Sequence, residues 1–153
     1  MLKYLMCLVL TASFFLGGCA SGVPKSKVSK EGDIAREWTE QGMTANYIFA
    51  TGIGAADQAL DNKTQKMATS RNAAVVNAQY NMLSFIKGVQ LEGGITVEKA
   101  IETDSLLATK IDAQIKGAEI AKSEWTSDDG CVVTLRLPKE KLKLLGLNVK
   151  DFK

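Results

Sequence analysis

The chain offers few side chains suited to catalysis, and its cysteines are the first to consider. None of its 153 residues is a histidine, which excludes imidazole bases, His-dependent triads and histidine metal ligands together. Cys7, Cys19 and Cys131 are the three cysteines, and their spacing fits neither a CxxC redox motif nor a zinc site. Cys19 stands apart because two small residues, Gly17 and Gly18, come directly before it.

An apolar run leads into this cysteine. Tyr4–Leu16 spans 13 residues and is apolar except at two positions, which is shorter than the ~20 residues of a spanning helix and typical of a secretory signal peptide. The following Leu16-Gly17-Gly18-Cys19 looks like a bacterial lipobox, in which the chain is cut before the cysteine and its nucleophilic thiol is joined to diacylglycerol. We therefore expect residues 1–18 to be a signal peptide cleaved after Gly18, and Cys19 to be lipidated.

The expected acylation also predicts a compartment. Two or more acyl chains make a stable membrane anchor, whereas one chain gives only marginal binding. Ala20, rather than an aspartate, follows the cysteine, which resembles a sorting signal for the bacterial outer membrane. We expect a lipid-anchored outer-membrane protein that faces the periplasm. The alternative is a signal anchor, or a cytosolic chain with an incidental cysteine.

Several other motifs could in principle bind a ligand or catalyse a reaction, but their sequence patterns favour structural roles. Gly52-x-Gly54 after a predicted strand suggests a phosphate loop, but Asp57 stands where the third glycine belongs, and a turn that needs small residues is favoured. Asp128-Asp129 is typical of a tight turn rather than a metal site. Cys131 lacks a base and alternates with apolar residues, as a buried thiol does. The remaining carboxylates show no spacing typical of a catalytic pair: Glu92, Glu98, Glu102 and Asp104.

The elements that position these residues begin with a strand and a long helix. Tyr47–Thr51 is aromatic and β-branched, which predicts a strand that ends at the glycines after it. Apolar residues in steps of three and four predict a helix from about Asn62 to Leu91, ended by Glu92-Gly93-Gly94. The positions that define its apolar face are Val75, Ala78, Met82, Phe85 and Val89.

The second half of the chain predicts a short sheet and two short helices. The predicted elements are a second strand at Ile95–Glu102, a helix at Ser105–Lys116 capped by Asp104 or Ser105, a hairpin of Ala118–Thr126 and Cys131–Leu137, and a last helix that Pro138 starts and Gly146 ends. The simplest architecture is α+β: a small antiparallel sheet with a strand–helix–strand–strand core, the long helix on one face, and short helices.

Composition bounds the domain organisation and the partners. The net charge is only +2, without the clustered basic excess of a nucleic-acid binder, so we expect no nucleic-acid partner. Residues 19–33 are predicted to be the lipidated cysteine and a flexible tether, 34–146 a single domain, and 147–153 a basic tail. We predict no catalytic residue, no cofactor and no metal.

Two features suggest contacts with other molecules. Asn72–Ala78 is rich in small residues and permits close approach of either the chain's own sheet, which is favoured, or a second protomer. Trp38 and Trp125 are of the residue type enriched at interfaces, and core positions are equally compatible with them.

Several features, taken in order, resemble one family. A lipobox and a short tether precede Trp38, an extended segment ends in Thr51-Gly52-Ile53-Gly54, the long helix contains Arg71-Asn72-Ala73-Ala74, and the closing hairpin and helix end in Lys143-Leu144-Leu145-Gly146. Over about residues 34–146 the chain resembles the LPP-type bacterial outer-membrane lipoproteins, which include the flagellar assembly lipoproteins of the FlgP branch.

The resemblance implies a non-enzymatic envelope protein with a strand–helix–strand–strand core. For the flagellar branch it implies assembly into rings or disks around the motor beneath the outer membrane, in support of motility. Members often carry a proline before the tryptophan, where this chain has Glu37. Only Cys19 corresponds to a functional position of the family, and no catalytic residue carries over.

Three hypotheses for the function follow from these observations. The leading one is a lipid-anchored structural protein of the outer membrane, homo-oligomeric and supporting the flagellar basal body. The second is a monomeric envelope module that binds a periplasmic protein or small ligand, which an apolar cavity beneath the sheet would favour. The third is an enzyme, which the missing histidine and the missing motifs disfavour.

Overall fold

An antiparallel sheet with a long helix on one face forms the body of the chain, as the α+β prediction requires. The computed structural model describes residues 25–35 and 41–150. The strands are β1 (Gln41–Met43), β2 (Tyr47–Gly54), β3 (Glu119–Trp125) and β4 (Cys131–Pro138), and the helices are α1 (Lys63–Gly88), α2 (Val97–Thr103), α3 (Ser105–Lys116) and α4 (Lys139–Lys143). The four strands lie side by side in the order β1-β2-β4-β3.

The long helix α1 lies directly against the backbone of β2. A Cβ placed on Gly52 would overlap the backbone of Ala78, and one on Gly54 would overlap that of Ser70. Ala74 is buried between these two contacts. Small residues on both elements therefore allow the close approach, which confirms that the small-residue stretch of the helix packs on its own sheet. The strand continues through both glycines, so the predicted turn at this position is wrong.

The buried face of α1 contains Ala78 and Met82, as predicted, and Val89 just after the helix is also buried, but the face as a whole is rotated slightly from the predicted one. Its buried members follow steps of four: Ser70, Ala74, Ala78, Met82 and Ile86. Val75 and Phe85, predicted as central, are only partly buried at the border of the core. The two glycines of β2 cause this rotation, because they accept only the smallest side chains of the helix at the contact. The helix begins after Asn62, whose side chain accepts the N–H of Thr64 at 2.8 Å.

The central strand β4 is covered on both faces. Cys131, Val133, Leu135 and Leu137 belong to the core under α1, as the predicted alternation requires. Val132 and Thr134 on the opposite face are also buried. Lys27 lies with Thr134 along one groove on that side, which shows that residues from the segment before the sheet cover part of it.

The predicted second strand, Ile95–Glu102, is wrong, since the helix α2 (Val97–Thr103) occupies that position. The hydroxyl of Thr96 accepts the N–H of Lys99 at 3.3 Å and caps the helix, and Glu98 lies in the first turn, where a negative charge is favourable. This capping outweighs the weak alternation, because only Val97 of α2 is buried.

The remaining short elements agree closely with the pattern. The helix at Ser105–Lys116 is confirmed, and Asp104 is its cap, accepting the N–H of Leu106 at 2.9 Å. The hairpin is confirmed, and Asp129 in its turn has a φ of 63°. The last helix, α4, starts after Pro138. The short edge strand β1, which has no apolar period of its own, was not predicted.

The chain after α4 is attached to the domain over residues 147–150, which were expected to belong to a basic tail. Leu147 is buried, and Val149 forms a β-bridge with Leu91. The N–H of Lys150 donates to the carbonyl of Gln90 at 2.9 Å. Backbone pairing with the segment that follows α1 therefore fixes residues 147–150 to the domain. The lysine-rich sequence had predicted a tail instead.

Replacing Gly52 with alanine is expected to lower the free energy of unfolding by about 1–3 kcal/mol or more, because the new methyl group meets helix backbone that cannot move alone. Gly42→Ala is the matched control, since it is also a strand glycine and a Cβ there meets nothing within 4 Å. Urea denaturation of both variants measures the difference. Equal stability of the two would contradict the close contact between α1 and β2.

Candidate functional site

The predicted site residues Gly18 and Cys19 lie outside the described residues, as does Trp38. The structure does describe residues 25–35, the segment through which an anchor at position 19 would reach the domain. We call this stretch the anchor segment. Its attachment to the sheet is the feature of the structure that bears most directly on the predicted function.

A single carboxylate, that of Glu124 on β3, fixes the anchor segment to the sheet. The backbone N–H of Lys27 donates to Oε2 at 2.9 Å, the N–H of Val28 lies 3.4 Å from Oε1, and the hydroxyl of Ser26 is a further close partner. Nζ of Lys122 lies 3.2 Å from Oε1, and only 9% of the glutamate side chain is exposed. This carboxylate is therefore an almost buried charge that accepts bonds from three consecutive residues.

The anchor segment also folds on itself and reaches the hairpin turn. The N–H of Ala35 donates to the carbonyl of Lys27 at 2.9 Å, which closes the segment around a turn. Gly32 has a φ of 90°, and its carbonyl accepts the N–H of Ser127 at 3.2 Å. Residues from Ser26 onward are thus attached to the domain, although they were expected to belong to a flexible tether that extends to residue 33.

The electrostatics of Glu124 favour its charged form. Burial alone would raise the pKa of the carboxyl, but the hydrogen bonds from Ser26, Lys27, Lys122 and Val28 outweigh it and hold the pKa below its usual value. A group with a lowered pKa in the folded chain stabilises that chain at neutral pH. The anchor segment is consequently attached most firmly when Glu124 is ionised.

The other candidate residues have structural positions. Cys131 is fully buried, and burial raises the pKa of its thiol, which suits a core residue rather than a nucleophile. Asp128 accepts the hydroxyl of Thr126 at 2.5 Å within the hairpin turn. Across residues 25–35 and 41–150, no group of three or more acidic or cysteine side chains is arranged to hold a metal.

The carboxylates in and around α2 have different structural roles. Glu98 and Glu102 lie on a helix rather than sharing a strand face, and Glu102 pairs with Lys99 at 2.6 Å. Asp104 caps α3, and Glu92 lines a groove beside α4. The geometry therefore gives these acids capping and surface ion-pair roles.

In the part of the chain that the structure describes, three surface grooves are open to solvent. One of about 350 Å³ separates α1 from α2 and α3 and includes Leu83 and Ile101. A second, of about 260 Å³, lies over Thr51 and Thr134, whose hydroxyls are 3.3 Å apart. The third, of about 270 Å³, lies beside α4 and includes Lys143. None of the three lies beneath the sheet as an enclosed apolar cavity.

Glu124 was missed by reasoning from the sequence. Glu124 lies between Lys122 and Trp125 in a predicted strand, where a charged residue is expected to be exposed. Its partners are backbone N–H groups nearly a hundred residues earlier, at Lys27 and Val28. Backbone groups carry no sequence signal, so only the folded chain reveals the contact.

The chain matches no family model, and comparison with curated proteins and with solved structures finds no match either. No helix in the part of the chain that the structure describes has both the length and the apolar character to cross a membrane.

Replacing Glu124 with glutamine is expected to destabilise the chain by about 1.5–3 kcal/mol at pH 7, since the buried donors lose a charged acceptor. The folded-state pKa lies below the ordinary value of about 4.3, so the contribution is complete above that value and is lost as the pH falls through the folded-state pKa. Urea denaturation at several pH values measures the gap between parent and variant, which should close as the pH falls through the folded-state pKa of Glu124.

Glu31→Gln is the control for this experiment, because Glu31 lies on the same segment and is exposed. It should change stability by less than about 0.5 kcal/mol. A gap for Glu124→Gln that stays constant with pH would contradict the role of the charged carboxylate.

Proposed function

We propose that this chain is a lipid-anchored, non-enzymatic structural protein of the bacterial outer membrane that faces the periplasm and associates with copies of itself. The observation that carries the proposal is the sequence Leu16-Gly17-Gly18-Cys19 after an apolar run of 13 residues. The anchor would hold the domain at a surface, where the thiol of Cys19 carries the acyl chains.

The attachment at Glu124 supports a short distance between the domain and the membrane. If Cys19 is acylated and the chain is fixed to the sheet from Ser26, six residues lie between them, and Cys19 can be at most about 25 Å from Ser26. A tether extending to residue 33 would have allowed twice that distance. The domain would thus be held beside the bilayer rather than far into the periplasm.

The outward face of α1 supports self-association. Val76 and Tyr80 lie opposite the sheet, one turn apart, and are 64% and 70% exposed. Leu83 extends this stripe into the groove beside α3. Exposed apolar stripes of this kind are typical of interaction surfaces, and confinement to a membrane raises the effective concentration of the copies that carry them.

Support of the flagellar basal body is the finer part of the proposal, and it depends on the family resemblance alone. The rival proposal, a monomeric module that binds a periplasmic ligand, called for an apolar cavity beneath the sheet. The close contact of Gly52 and Gly54 with α1 leaves little space there. Motility of a deletion strain tests the flagellar role: normal swimming would remove it and leave the anchored structural protein.

Replacing Cys19 with serine is expected to abolish incorporation of labelled palmitate and cleavage after Gly18, because serine lacks the thiol that accepts diacylglycerol. Cys7→Ser, in the predicted signal peptide, is the matched control and should be labelled like the parent. Gel mobility and membrane fractionation report processing and attachment. A Cys19→Ser protein that is still labelled and membrane-held would overturn the anchor.

Replacing Tyr80 with lysine is expected to weaken self-association by about tenfold or more, because a charge enters the apolar stripe on α1. Gln65→Lys is the control, since Gln65 is exposed on the same helix but lies four turns away. Light scattering of the lipid-free protein over a concentration series measures the effect. A parent protein that remains monomeric throughout would contradict self-association through this face.

A further inference from the structure

We infer that the end of the domain formed by α4 is a second membrane contact, which binds an anionic phospholipid surface. The inference rests on the proposed function, because the lipid anchor is what brings this end near a bilayer. The surface at α4 is separate from both the lipid anchor and the apolar stripe of α1, and its proposed partner is the anionic membrane.

One leucine stands out at the end of α4. Leu144 is 85% exposed, the highest value among the large apolar side chains of the described residues. Lys141 and Lys143 precede it on the same turn. Over residues 139–150 there are four lysines and one glutamate. The surface is therefore an apolar tip next to Lys141 and Lys143, with the acids Glu92 and Glu140 in the adjoining groove. An apolar side chain beside lysines suits the interface of an anionic membrane.

The position of this leucine is fixed by its neighbours. Leu142 is fully buried and Leu145 packs against the core, so α4 cannot rotate to bury Leu144 without exposing them. Nζ of Lys141 lies 3.3 Å from the carbonyl of Gly117 at the end of α3. Gly146, with a φ of 82°, ends the turn and sends the chain back toward the core. The exposed tip is consequently a rigid feature of the fold.

The anchor and this tip can touch the same bilayer. Glu124, which holds the anchor segment, is paired in register with Val132 of β4. Pro138, where α4 begins, lies six residues further along that strand, or about 20 Å. The tether from Cys19 to the segment reaches about 25 Å. A domain that lies with its sheet along the membrane would satisfy both contacts.

Charge and shape favour lipid over an acidic protein as the occupant. The tip is a single protruding side chain at the end of the body rather than a concave site, and a fluid lipid interface accepts such a shape without a matching surface. Each lysine near an anionic surface strengthens binding by roughly fivefold. An acyl anchor together with a basic patch is a recognised pair of membrane signals.

The test uses the full lipidated protein with Leu144→Cys carrying a polarity-sensitive fluorophore, because Cys131 is buried and Cys19 would be acylated. The protein is placed in vesicles that contain a brominated lipid, either with phosphatidylglycerol or with phosphatidylcholine alone. We expect quenching of the fluorophore in the anionic vesicles at low salt, and its loss in neutral vesicles and at high salt. The control is the same label at Gln65→Cys, which should not be quenched.

A second variant separates the lysines from the label. Lys141→Gln with Lys143→Gln should weaken the contact that quenching reports by roughly 25-fold, whereas Lys99→Gln with Lys110→Gln should leave it unchanged. Equal quenching in neutral and anionic vesicles, or no effect of the first pair, would overturn the proposal. The proposal would also be overturned if Lys141→Gln with Lys143→Gln changed self-association in light scattering but left quenching unchanged. The surface at α4 would then bind a second copy of the chain.

Flotation of the unlabelled protein keeps the two proposals distinct. Protein that floats with both vesicle types but shows no quenching at position 144 retains the anchor and loses the α4 contact. A parent protein that incorporates no labelled palmitate but floats with anionic vesicles only, and loses flotation when Lys141 and Lys143 are replaced, retains the α4 contact and loses the anchor.

Discussion

The direct approach of α1 to the backbone of β2 is the contact on which the rest of the fold depends. Gly52 and Gly54 leave no side chain between the two elements, and Ala74 and Ala78 complete the contact from the helix. This geometry fixes the rotation of α1. It places Met82 and the other apolar members of that face over the sheet, and it leaves the opposite stripe of the helix to solvent. The surface proposed for self-association is thus a consequence of where two glycines lie.

A buried charge links the domain to the chain before it. Burial of Glu124 would be costly if the carboxylate were unpaired, and the backbone of Lys27 and Val28 supplies donors that offset this cost. In the proposed arrangement, the same hydrogen bonds shorten the tether between Cys19 and the domain. A structural requirement of the sheet therefore sets how far the domain stands from the membrane in the proposed arrangement.

Different elements carry the surfaces proposed for different partners. The anchor segment lies over β3 and the hairpin turn, α1 presents its stripe on the face opposite the sheet, and α4 lies beyond the other end of β4. Because each surface belongs to a separate element packed on one core, a substitution in one leaves the others in place. The proposed lipid attachment and the proposed lateral association therefore depend on separate surfaces of one small domain.

Sequence patterns by themselves determined the α+β class, the span of α3 and the hairpin around Asp128-Asp129, because each depends on local spacing, caps or turn residues. Lipid attachment at Cys19 stays a prediction from the same kind of local pattern. The patterns gave the wrong element at α2, where a threonine cap outweighed weak alternation. They also gave a turn at the glycines of β2, because the reason for those glycines is the contact with helix α1. Only the tertiary structure decided the rotation of α1, the attachment of the anchor segment and the exposure of Leu144. These depend on backbone groups and on neighbours distant in sequence, which no local pattern encodes.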